Sequence, residues 1–374
     1  MADPHVTKTT FQHSTLCQFV IGDGSAAELA NSDSKTSLTN LLERNLSQVQ
    51  IALITDENVN RLYGDELFHQ LGGIANVHRF VLPAGEKTKS VEQLNTLWND
   101  FIANAFNRDS LVIAFGGGVI GDLAGFAAAS FARGIELVQI PTTLMAQVDS
   151  SIGGKTGINL NQAKNMVGAF WQPKCVVIDP TFLNTLGDED FRSGLAEVVK
   201  YGVISDASFF SWLVENSAAI NQRDPSAIEY VVRTCSECKI EIVESDPLEQ
   251  TGLRAKLNYG HTFAHAIETV FGYGSFTHGQ AVSIGMACAA QLARLMHRVG
   301  DEFCQTQQSL LEQLNLPTAC PTTNHHQMLS VMQVDKKNRD GQLRFILPTA
   351  IGNVELAGGI HADKVLETLK LCSS

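Results

Sequence analysis

The sequence predicts an α/β protein in which an N-terminal domain, built on a parallel β-sheet, precedes a mainly α-helical C-terminal domain. The chain has 374 residues, more than one hydrophobic core usually supports, because domains cluster at roughly 100–200 residues. Between residues 48 and 179 short β-branched runs alternate with longer helical patterns, whereas helical periodicity prevails after residue 186. We therefore predict an α/β domain at residues 1–186 and a mainly helical domain at residues 187–374.

Five apolar runs are predicted to form the parallel sheet, because strands that alternate with helices pair in parallel. The run at residues 111–115 is continuously apolar, as expected of a central strand that is buried on both faces. The five runs lie at residues 49–54, 79–82, 111–115, 137–140 and 175–178. The first 45 or so residues show no clear pattern.

The second half of the chain is predicted to be mostly helical, because its apolar residues recur at helical spacing. The predicted helices lie at residues 191–201, 227–244, 262–271, 281–297 and 302–314. Two later strands are predicted at residues 343–347 and 353–356, with Pro348 and Gly352 between them, and a closing helix at residues 362–371.

Composition and charge exclude several classes of protein. With 39 acidic and 27 basic residues the net charge is -12, which argues against a broad surface for nucleic acid or anionic membrane. No apolar run approaches the roughly 18 residues of a membrane span, and residues 1–10 are polar, without the core of a signal peptide. The eight cysteines are scattered, and Cys235 and Cys238 form a CxxC without a second pair. We expect a cytoplasmic protein without disulfides.

A glycine run follows the central strand and opens an apolar helix. The glycines Gly116, Gly117 and Gly118 would let backbone N–H groups and the helix N-terminus face the pyrophosphate of a dinucleotide in a Rossmann-like domain. The spacing is not GxGxxG, and a tight strand-to-helix turn without a ligand explains the run equally well. Polar residues also follow two other predicted strands, where ligands of open α/β sheets bind. These residues are Asp56, Asn58, Thr142 and Thr143.

A histidine-rich segment indicates a metal site. His261 and His265 are spaced i and i+4, so a helix would place them on one face. A satisfied or exposed pair is the more common meaning of this spacing, but Glu197 adds a carboxylate on an apolar helix, and His278 precedes the next helix. A carboxylate with two or three histidines suits zinc or a similar divalent ion and leaves a coordination position for substrate.

Basic residues gather in glycine-rich and helix-end contexts despite the acidic composition. Together these basic residues favour a substrate that carries phosphate and carboxylate groups. Any one of them alone is best interpreted as an ordinary surface cation. Lys155 follows two glycines, but the upstream glycine of a P-loop is missing, which argues against nucleotide hydrolysis. The set comprises Lys155, Lys164, Lys200, Lys239, Arg254, Lys336 and Lys337.

Taken in order, these segments resemble the 3-dehydroquinate synthase family of sugar-phosphate cyclases, from about Ile51 to the C-terminus. The matching motifs are GGGVIGD at 116–122, VDSSIGGKTG at 148–157, KN at 164–165, GLAEVVK at 194–200, LNYGHTFAH at 257–265 and DKK at 335–337. Ala163 and Ala264 stand where glycine is usual, and the segment before Gly252 looks one residue longer than common, which blurs the alignment of Lys239 most.

The resemblance implies a role for each matching residue. It assigns metal ligation to Glu197, His261 and His278 and leaves His265 to the substrate, unlike the simple i, i+4 argument. The residues implied to meet NAD are Asp56, Gly85, Glu86, Lys89, Gly118, Gly121, Asp122, Thr142, Thr143, Lys155, Lys164, Phe182 and Thr185. The residues implied to meet substrate or act in catalysis are Asp149, Lys155, Asn165, Lys200, Lys239, Arg254, Asn258, His265, Lys336 and Lys337.

The resemblance also implies a reaction, in which 3-deoxy-D-arabino-heptulosonate 7-phosphate becomes 3-dehydroquinate and phosphate. NAD would be reduced and then reoxidised, and zinc or cobalt would act as a Lewis acid. Arg133 resembles a residue that reaches the site of a neighbouring subunit, which implies a homodimer. The alternatives are a valiolone or inosose synthase, a metal-dependent alcohol dehydrogenase, or an NAD-binding protein without activity.

Overall fold

The computed structural model describes residues 5–11, 15–160, 163–272, 274–321, 324–334 and 343–373. The chain folds into two compact units. The first unit extends to Leu186 and also contains Lys239–Leu248, and the second contains Gly187–Cys238 and the chain from Glu249 onwards. The sequence places Lys239–Leu248 in the helical domain, whereas in the structure the Lys239 side chain contacts Asp149 of the first unit.

Among the described residues, nine strands lie in the first unit. Seven of them form one sheet, and two form a separate antiparallel hairpin. The strands are β1 (His5–Phe11), β2 (Thr15–Ile21), β3 (Gln50–Asp56), β4 (Asn76–Leu82), β5 (Leu111–Gly116), β6 (Glu136–Pro141), β7 (Lys155–Leu160), β8 (Ala163–Phe170) and β9 (Cys175–Ile178). The sheet order is β1-β2-β9-β6-β5-β3-β4, and β7 pairs with β8. All five predicted strands lie in this sheet, and the predicted parallel pairing is confirmed for β9, β6, β5, β3 and β4. Strand β2, which was not predicted, pairs in parallel with β9.

The sheet is buried on both faces, as the apolar run of β5 predicts. Side chains of successive strand residues point to opposite faces, so β5 contributes to two cores. Ile113 and Phe115 pack into one core, whereas Val112 and Ala114 pack into the other. The carboxyl ends of the parallel strands therefore lie along one edge of a rigid layer.

Helices of the first unit flank this sheet. They are α1 (Leu38–Leu41), α2 (Glu57–Val59), α3 (Asp65–Gly72), α4 (Val91–Ala103) and α5 (Gly118–Ser130). The π-helical turn Asn60–Gly64 joins α2 to α3. Short turns of 3-10 helix lie at Ala27–Ala30, Glu86–Thr88, Phe131–Arg133 and Pro180–Thr185, and a π-helical turn lies at Ala146–Ser150. Because α5 begins directly after β5, its first turn lies at the carboxyl edge of the sheet.

The second unit is mainly helical, as predicted. Its helices are α6 (Asp188–Ser205), α7 (Ala207–Asn221), the first part of α8 (Pro225–Ser245), α9 (His261–Phe271), α10 (His278–Leu295), α11 (Asp301–Gln313), α12 (His325–Val334) and α13 (Ala362–Cys372). Strands β10 (Leu343–Ala350) and β11 (Asn353–Ile360) form an antiparallel pair. The buried helix α10 packs against α6, α9, α11 and α13. Among the described residues, no helix combines the length and the apolar character needed to cross a membrane.

Candidate functional site

The glycine run forms a tight turn between β5 and α5. Gly117 is the N-cap of α5 and Gly118 is its first residue. A Cβ on Gly117 would lie 3.0 Å from Thr143 Cγ2, and a Cβ on Gly118 would lie 2.9 Å from Ser150 Oγ. Glycine is therefore required because the start of the helix packs closely on the segment after β6. The same packing brings hydroxyl groups next to the N–H groups of the first helical turn, which attract anions.

Two of these hydroxyl groups are available to a ligand. Thr142 follows β6 and is buried, and its backbone N–H donates to the Gly116 carbonyl at 3.0 Å. Neither Thr142 Oγ1 nor Ser150 Oγ has a hydrogen-bond partner among the described residues. A buried hydroxyl without a partner is costly, so a bound polar group would relieve that cost. This observation favours the dinucleotide interpretation of the glycine run over a turn without a ligand.

A buried lysine connects three segments of the first unit. Lys89 Nζ lies 2.6 Å from Asp122 Oδ2 on α5 and also donates to Asn165 Oδ1 on β8. Asn165 N–H donates to Asn159 Oδ1 at 3.0 Å, and Asn159 Nδ2 donates to Glu86 Oε1 at 2.7 Å. Burial raises the pKa of Asp122, although the charge of Lys89 opposes this shift. Residues that are distant in the sequence thus form one polar cluster.

Asp149 and Lys239 form a second polar pair in the first unit. Lys239 Nζ lies 2.9 Å from Asp149 Oδ1 and donates to the Asp149 carbonyl. Lys239 is buried. Its positive charge partly offsets the rise in the pKa of Asp122 that burial causes. The structure therefore brings Lys239 and Asp149, both predicted to meet substrate, close to the cluster of Lys89 and Asp122.

The other predicted residues of the first unit differ in their surroundings. Asp56 caps α2 by accepting hydrogen bonds from the N–H groups of Asn58 and Val59 at 2.9 and 3.1 Å. Phe182 packs against Tyr63 and Phe115, with ring centroids 4.9 and 5.4 Å apart, so its side chain belongs to the core. Lys164 is half-buried. Thr143 Oγ1 accepts a hydrogen bond from the Ala146 N–H at 3.2 Å. The exposed residues are Asn58, Gly85, Glu86, Arg133, Lys155, Asn165 and Thr185.

The second unit contains a cluster of three candidate metal ligands. Glu197 on α6 is fully buried, and His261 and His278 are the first residues of α9 and α10. One ligand atom from each of the three residues lies within 4.8 Å of the others. His261 Nε2 and His278 Nε2 lie 3.5 and 3.6 Å from Glu197 Oε1. One carboxylate and two imidazoles suit Zn²⁺ or Co²⁺.

Two residues near this cluster are predicted to serve the substrate instead. His265 lies one turn after His261 on α9, with the two rings 5.7 Å apart, and is not part of the cluster of three. Lys200 lies one turn after Glu197 on α6, and its buried ammonium group contacts Glu197 Oε2. The i, i+4 histidine pair alone therefore does not define the ligand set, because each of the three candidate ligands comes from a different helix.

Close helix packing places His278 next to Glu197. A Cβ on Gly279 would lie 1.9 Å from the Ser193 carbonyl oxygen, and the Gly279 N–H donates to Ser193 Oγ at 3.0 Å. A Cβ on Gly285 would likewise lie 2.2 Å from the Gly260 carbonyl oxygen. These glycines let α10 approach both α6 and α9. Thr277 begins α10 with a capping box, which fixes where the helix starts.

The pKa values of the two histidines shift in opposite directions. Burial lowers the pKa of His261 to about 3. Burial also lowers the pKa of His278, but hydrogen bonds to Glu197 and Glu268 outweigh it and raise the pKa to about 10. Glu268 was not among the residues predicted from the sequence. Its position seven residues after His261, on the same face of a helix, is the signal that would have found it.

The remaining predicted residues lie on or beyond neighbouring segments. Arg254 is buried and Asn258 is half-buried on the 3-10 helix Leu253–Asn258, which packs against α6 and leads through Gly260 into α9. Lys336 and Lys337 lie outside the described residues.

The chain is similar to 3-dehydroquinate synthases along most of its length. Family models described as the N-terminal and C-terminal parts of 3-dehydroquinate synthase match residues 79–193 and 194–338. The 3-dehydroquinate synthase of Rhodopirellula baltica is 48% identical over 324 residues, which cover 86% of this chain and 86% of that protein. That of Idiomarina loihiensis is 46% identical over 338 residues, which cover 90% of this chain and 94% of that protein.

A solved structure shares the fold. The 2-epi-5-epi-valiolone synthase of Streptomyces hygroscopicus subsp. jinggangensis, with NAD+ and Zn2+ bound, matches with a TM-score of 0.85. The two sequences are 27% identical, and the match covers 98% of each chain. This likeness confirms the predicted fold class, an α/β domain followed by a mainly helical one.

Proposed function

The chain belongs to the 3-dehydroquinate synthase family, and we propose that it converts 3-deoxy-D-arabino-heptulosonate 7-phosphate to 3-dehydroquinate and inorganic phosphate. This reaction makes it a carbon–oxygen lyase of the shikimate pathway. The observation that carries the function is the cluster of Glu197, His261 and His278, in a chain that is 48% identical to a 3-dehydroquinate synthase. The valiolone synthase is only 27% identical, which disfavours that alternative.

NAD is proposed to bind the first unit, which would form the NAD-binding domain of residues 1–186. The first turn of α5 offers N–H groups to the pyrophosphate, and the buried hydroxyl group of Thr142 offers a hydrogen bond. Lys89 and Asp122 add a charged pair at the same end of α5. When bound, NAD would supply a reversible hydride acceptor for a ring carbinol of the substrate, so that it is not consumed overall.

A divalent ion is proposed to bind Glu197, His261 and His278 in residues 187–374, and zinc and cobalt both suit this donor set. When bound, the ion would polarise the carbinol oxygen of the substrate as a Lewis acid. Lys200 balances the buried charge of Glu197 and can exchange a proton with substrate. His265 stays outside the ligand cluster and is available as a second proton carrier.

The anionic groups of the substrate are proposed to meet the basic and amide side chains. A carboxylate and a phosphate need charged hydrogen-bond donors, and buried cations provide them most strongly. Lys239 and Arg254 are both buried and are proposed to bind the carboxylate. Asn165, Asn258, Lys336 and Lys337 are proposed to bind the phosphate, and Asp149 is proposed to hold Lys239 in place.

A homodimer is proposed because the hairpin of the first unit exposes an apolar surface. On β7 and β8 the side chains of Leu160, Met166, Val167 and Phe170 are exposed. Exposed apolar strands of this kind are usually covered by another chain. Trp171, directly after β8, packs on Gly134 and donates to the Ile135 carbonyl at 3.0 Å. Arg133, which is exposed in that turn, is proposed to reach a neighbouring subunit.

A reducing compartment, the cytoplasm, is proposed from the cysteines. All eight are free thiols, and five of them are buried. Buried free cysteines behave as small apolar residues and persist where thiols are kept reduced.

The proposed activity is tested by supplying the heptulosonate phosphate with substoichiometric NAD and Zn²⁺. We expect phosphate release to exceed the NAD present many times over, while the absorbance of reduced NAD stays low. The matched control is the same protein freed of NAD, which should release no phosphate until NAD is added. NADH production in proportion to substrate would instead identify an alcohol dehydrogenase, and absence of phosphate release would overturn the proposal.

A further inference from the structure

Glu268 is a buried carboxylate directly behind one of the candidate metal ligands. It lies on α9, two turns after His261, and is 7% exposed. Its Oε1 atom lies 3.5 Å from Nδ1 of His278. The opposite nitrogen of the same ring, Nε2, lies 3.6 Å from Glu197 Oε1. The imidazole of His278 therefore stands between two buried carboxylates, of which only Glu197 belongs to the ligand cluster.

The two histidines of the cluster are held in the same way. Both present Nε2 to Glu197, at 3.5 Å for His261 and 3.6 Å for His278. In both, Nδ1 faces an oxygen atom on the other side of the ring. For His261 this is the Tyr259 carbonyl at 3.0 Å, whereas for His278 it is the carboxylate of Glu268. An oxygen at Nδ1 selects the tautomer that leaves the Nε2 lone pair for a metal ion.

A carboxylate at this position differs chemically from a carbonyl. It carries a negative charge, so it makes the imidazole a stronger electron donor and holds the ring more firmly. Burial of Glu268 strengthens the effect, because a charge in a poorly solvated place interacts strongly with its partners. His278 is also the more exposed of the two ligands, since its side chain is 38% exposed, compared with 12% for His261. A contact that holds the ring in place therefore matters more for His278 than for His261.

We propose that Glu268 is a positioning residue for metal binding, which accepts the Nδ1–H hydrogen bond of His278 and holds that ring with Nε2 toward the ion. The inference rests on the metal site of the proposed function. It assigns Glu268 no contact with substrate, NAD or the ion itself.

The test is a measurement of Zn²⁺ affinity by competition with a chromophoric chelator, without substrate. For Glu268→Gln, which keeps the size of the side chain and removes its charge, we expect affinity to fall by about 10–100-fold. Glu268→Asp keeps the charge but lengthens the contact, so it should lose less affinity than Glu268→Gln. Glu215→Gln is the matched control, because Glu215 is exposed on α7 and is not a member of the ligand cluster, so this variant should bind Zn²⁺ like the wild type.

A second readout separates positioning from general damage to the fold. The visible absorption of the Co²⁺-loaded protein reports the ligand field, so Glu268→Gln should shift its bands while circular dichroism stays unchanged. The role of Glu268 would be refuted, and the metal site retained, if Glu268→Gln kept its Zn²⁺ affinity and Co²⁺ spectrum while Glu197→Gln lost binding. Absence of Zn²⁺ binding by the wild type would overturn the metal site and this inference together. If Glu268→Gln does not fold, the affinity and spectrum of Glu268→Asp decide by the same criteria.

Discussion

Gly279 lies in direct backbone contact with Ser193, and this contact positions the first residue of α10 beside α6. The Gly279 N–H donates to Ser193 Oγ at 3.0 Å, and a Cβ on Gly279 would be only 1.9 Å from the Ser193 carbonyl oxygen. Ser193 lies one turn before Glu197, and His278 directly precedes Gly279. The spacing of the two metal ligands therefore depends on a residue that has no side chain.

Gly279→Ala is predicted to weaken both the fold and the metal site. The added methyl group must push α10 away from α6, so we expect the free energy of unfolding to fall by about 1–3 kcal/mol and Zn²⁺ affinity to fall with it. Chemical denaturation and chelator competition measure the two effects. Gly300→Ala is the control, since a Cβ on Gly300 would meet nothing within 4 Å. Equal stability of the two variants would contradict this prediction.

His278→Ala and His265→Ala are predicted to separate a metal ligand from a substrate residue. Only His278 belongs to the ligand cluster, although His265 has the helical spacing that suggests ligation. We expect His278→Ala to lose bound metal and turnover while its circular dichroism persists. His265→Ala should keep its metal and lose turnover. Metal analysis of the purified proteins decides, and full metal content in His278→Ala would refute its assignment.

Zn²⁺ binding is predicted to release a proton from His278 at neutral pH. The raised pKa of His278, about 10, means that the metal-free ring is protonated at pH 7, whereas His261, with a pKa of about 3, is already neutral. A ligand nitrogen must be deprotonated, so about one proton leaves, and Zn²⁺ affinity should rise with pH until about pH 10. Titration calorimetry in buffers of different ionisation enthalpy measures this release. A heat that does not depend on the buffer would contradict the prediction.

The pair Lys89→Met and Asp122→Asn is predicted to lower the affinity for NAD. Lys89→Met alone leaves Asp122 without its nearest cation, which would destabilise the fold by about 3–5 kcal/mol, so both residues are changed together. We expect the Kd for NAD to rise about tenfold, or about 1.4 kcal/mol. Fluorescence titration with NAD measures it, with Lys87→Met, an exposed neighbour, as the control. An unchanged Kd in the double variant would exclude this pair from the NAD site.

Phe170→Asp is predicted to convert the proposed dimer into monomers. A charge on the exposed face of β8 opposes burial of that face against a second copy. Light scattering after size-exclusion chromatography measures the mass. The control is Ile102→Asp on α4, which is more exposed than Phe170 but lies outside the hairpin. Equal masses for the two variants would place any interface elsewhere.

Local pattern predicts the sheet core well, but it misses strands whose partners are distant in the sequence. The apolar run of β5 identifies a central strand, because burial on both faces leaves no polar positions. In contrast, β2 was not predicted, and it pairs with β9 more than 150 residues later. The hairpin of β7 and β8 was not predicted either. Its strands approach so closely that a Cβ on Gly168 would lie 2.0 Å from the Thr156 carbonyl oxygen.

The metal site shows the same limit. Helical spacing alone pairs His261 with His265, because a sequence pattern reports only neighbours on one helix. Glu197 and His278 were candidates from the sequence, but only the resemblance to a family selected them over His265, and the structure brings both next to His261. The sequence did not identify Glu268, because this residue contacts His278 and belongs to none of the motifs.

Lys200 bears on whether the second unit can fold before a metal ion binds. A fully buried carboxylate would ordinarily oppose folding until an ion arrived to neutralise it. The ammonium group of Lys200, one turn along the same helix from Glu197, already supplies that neutralisation from within the chain. Folding of the second unit therefore does not require a metal ion to neutralise the carboxylate of Glu197.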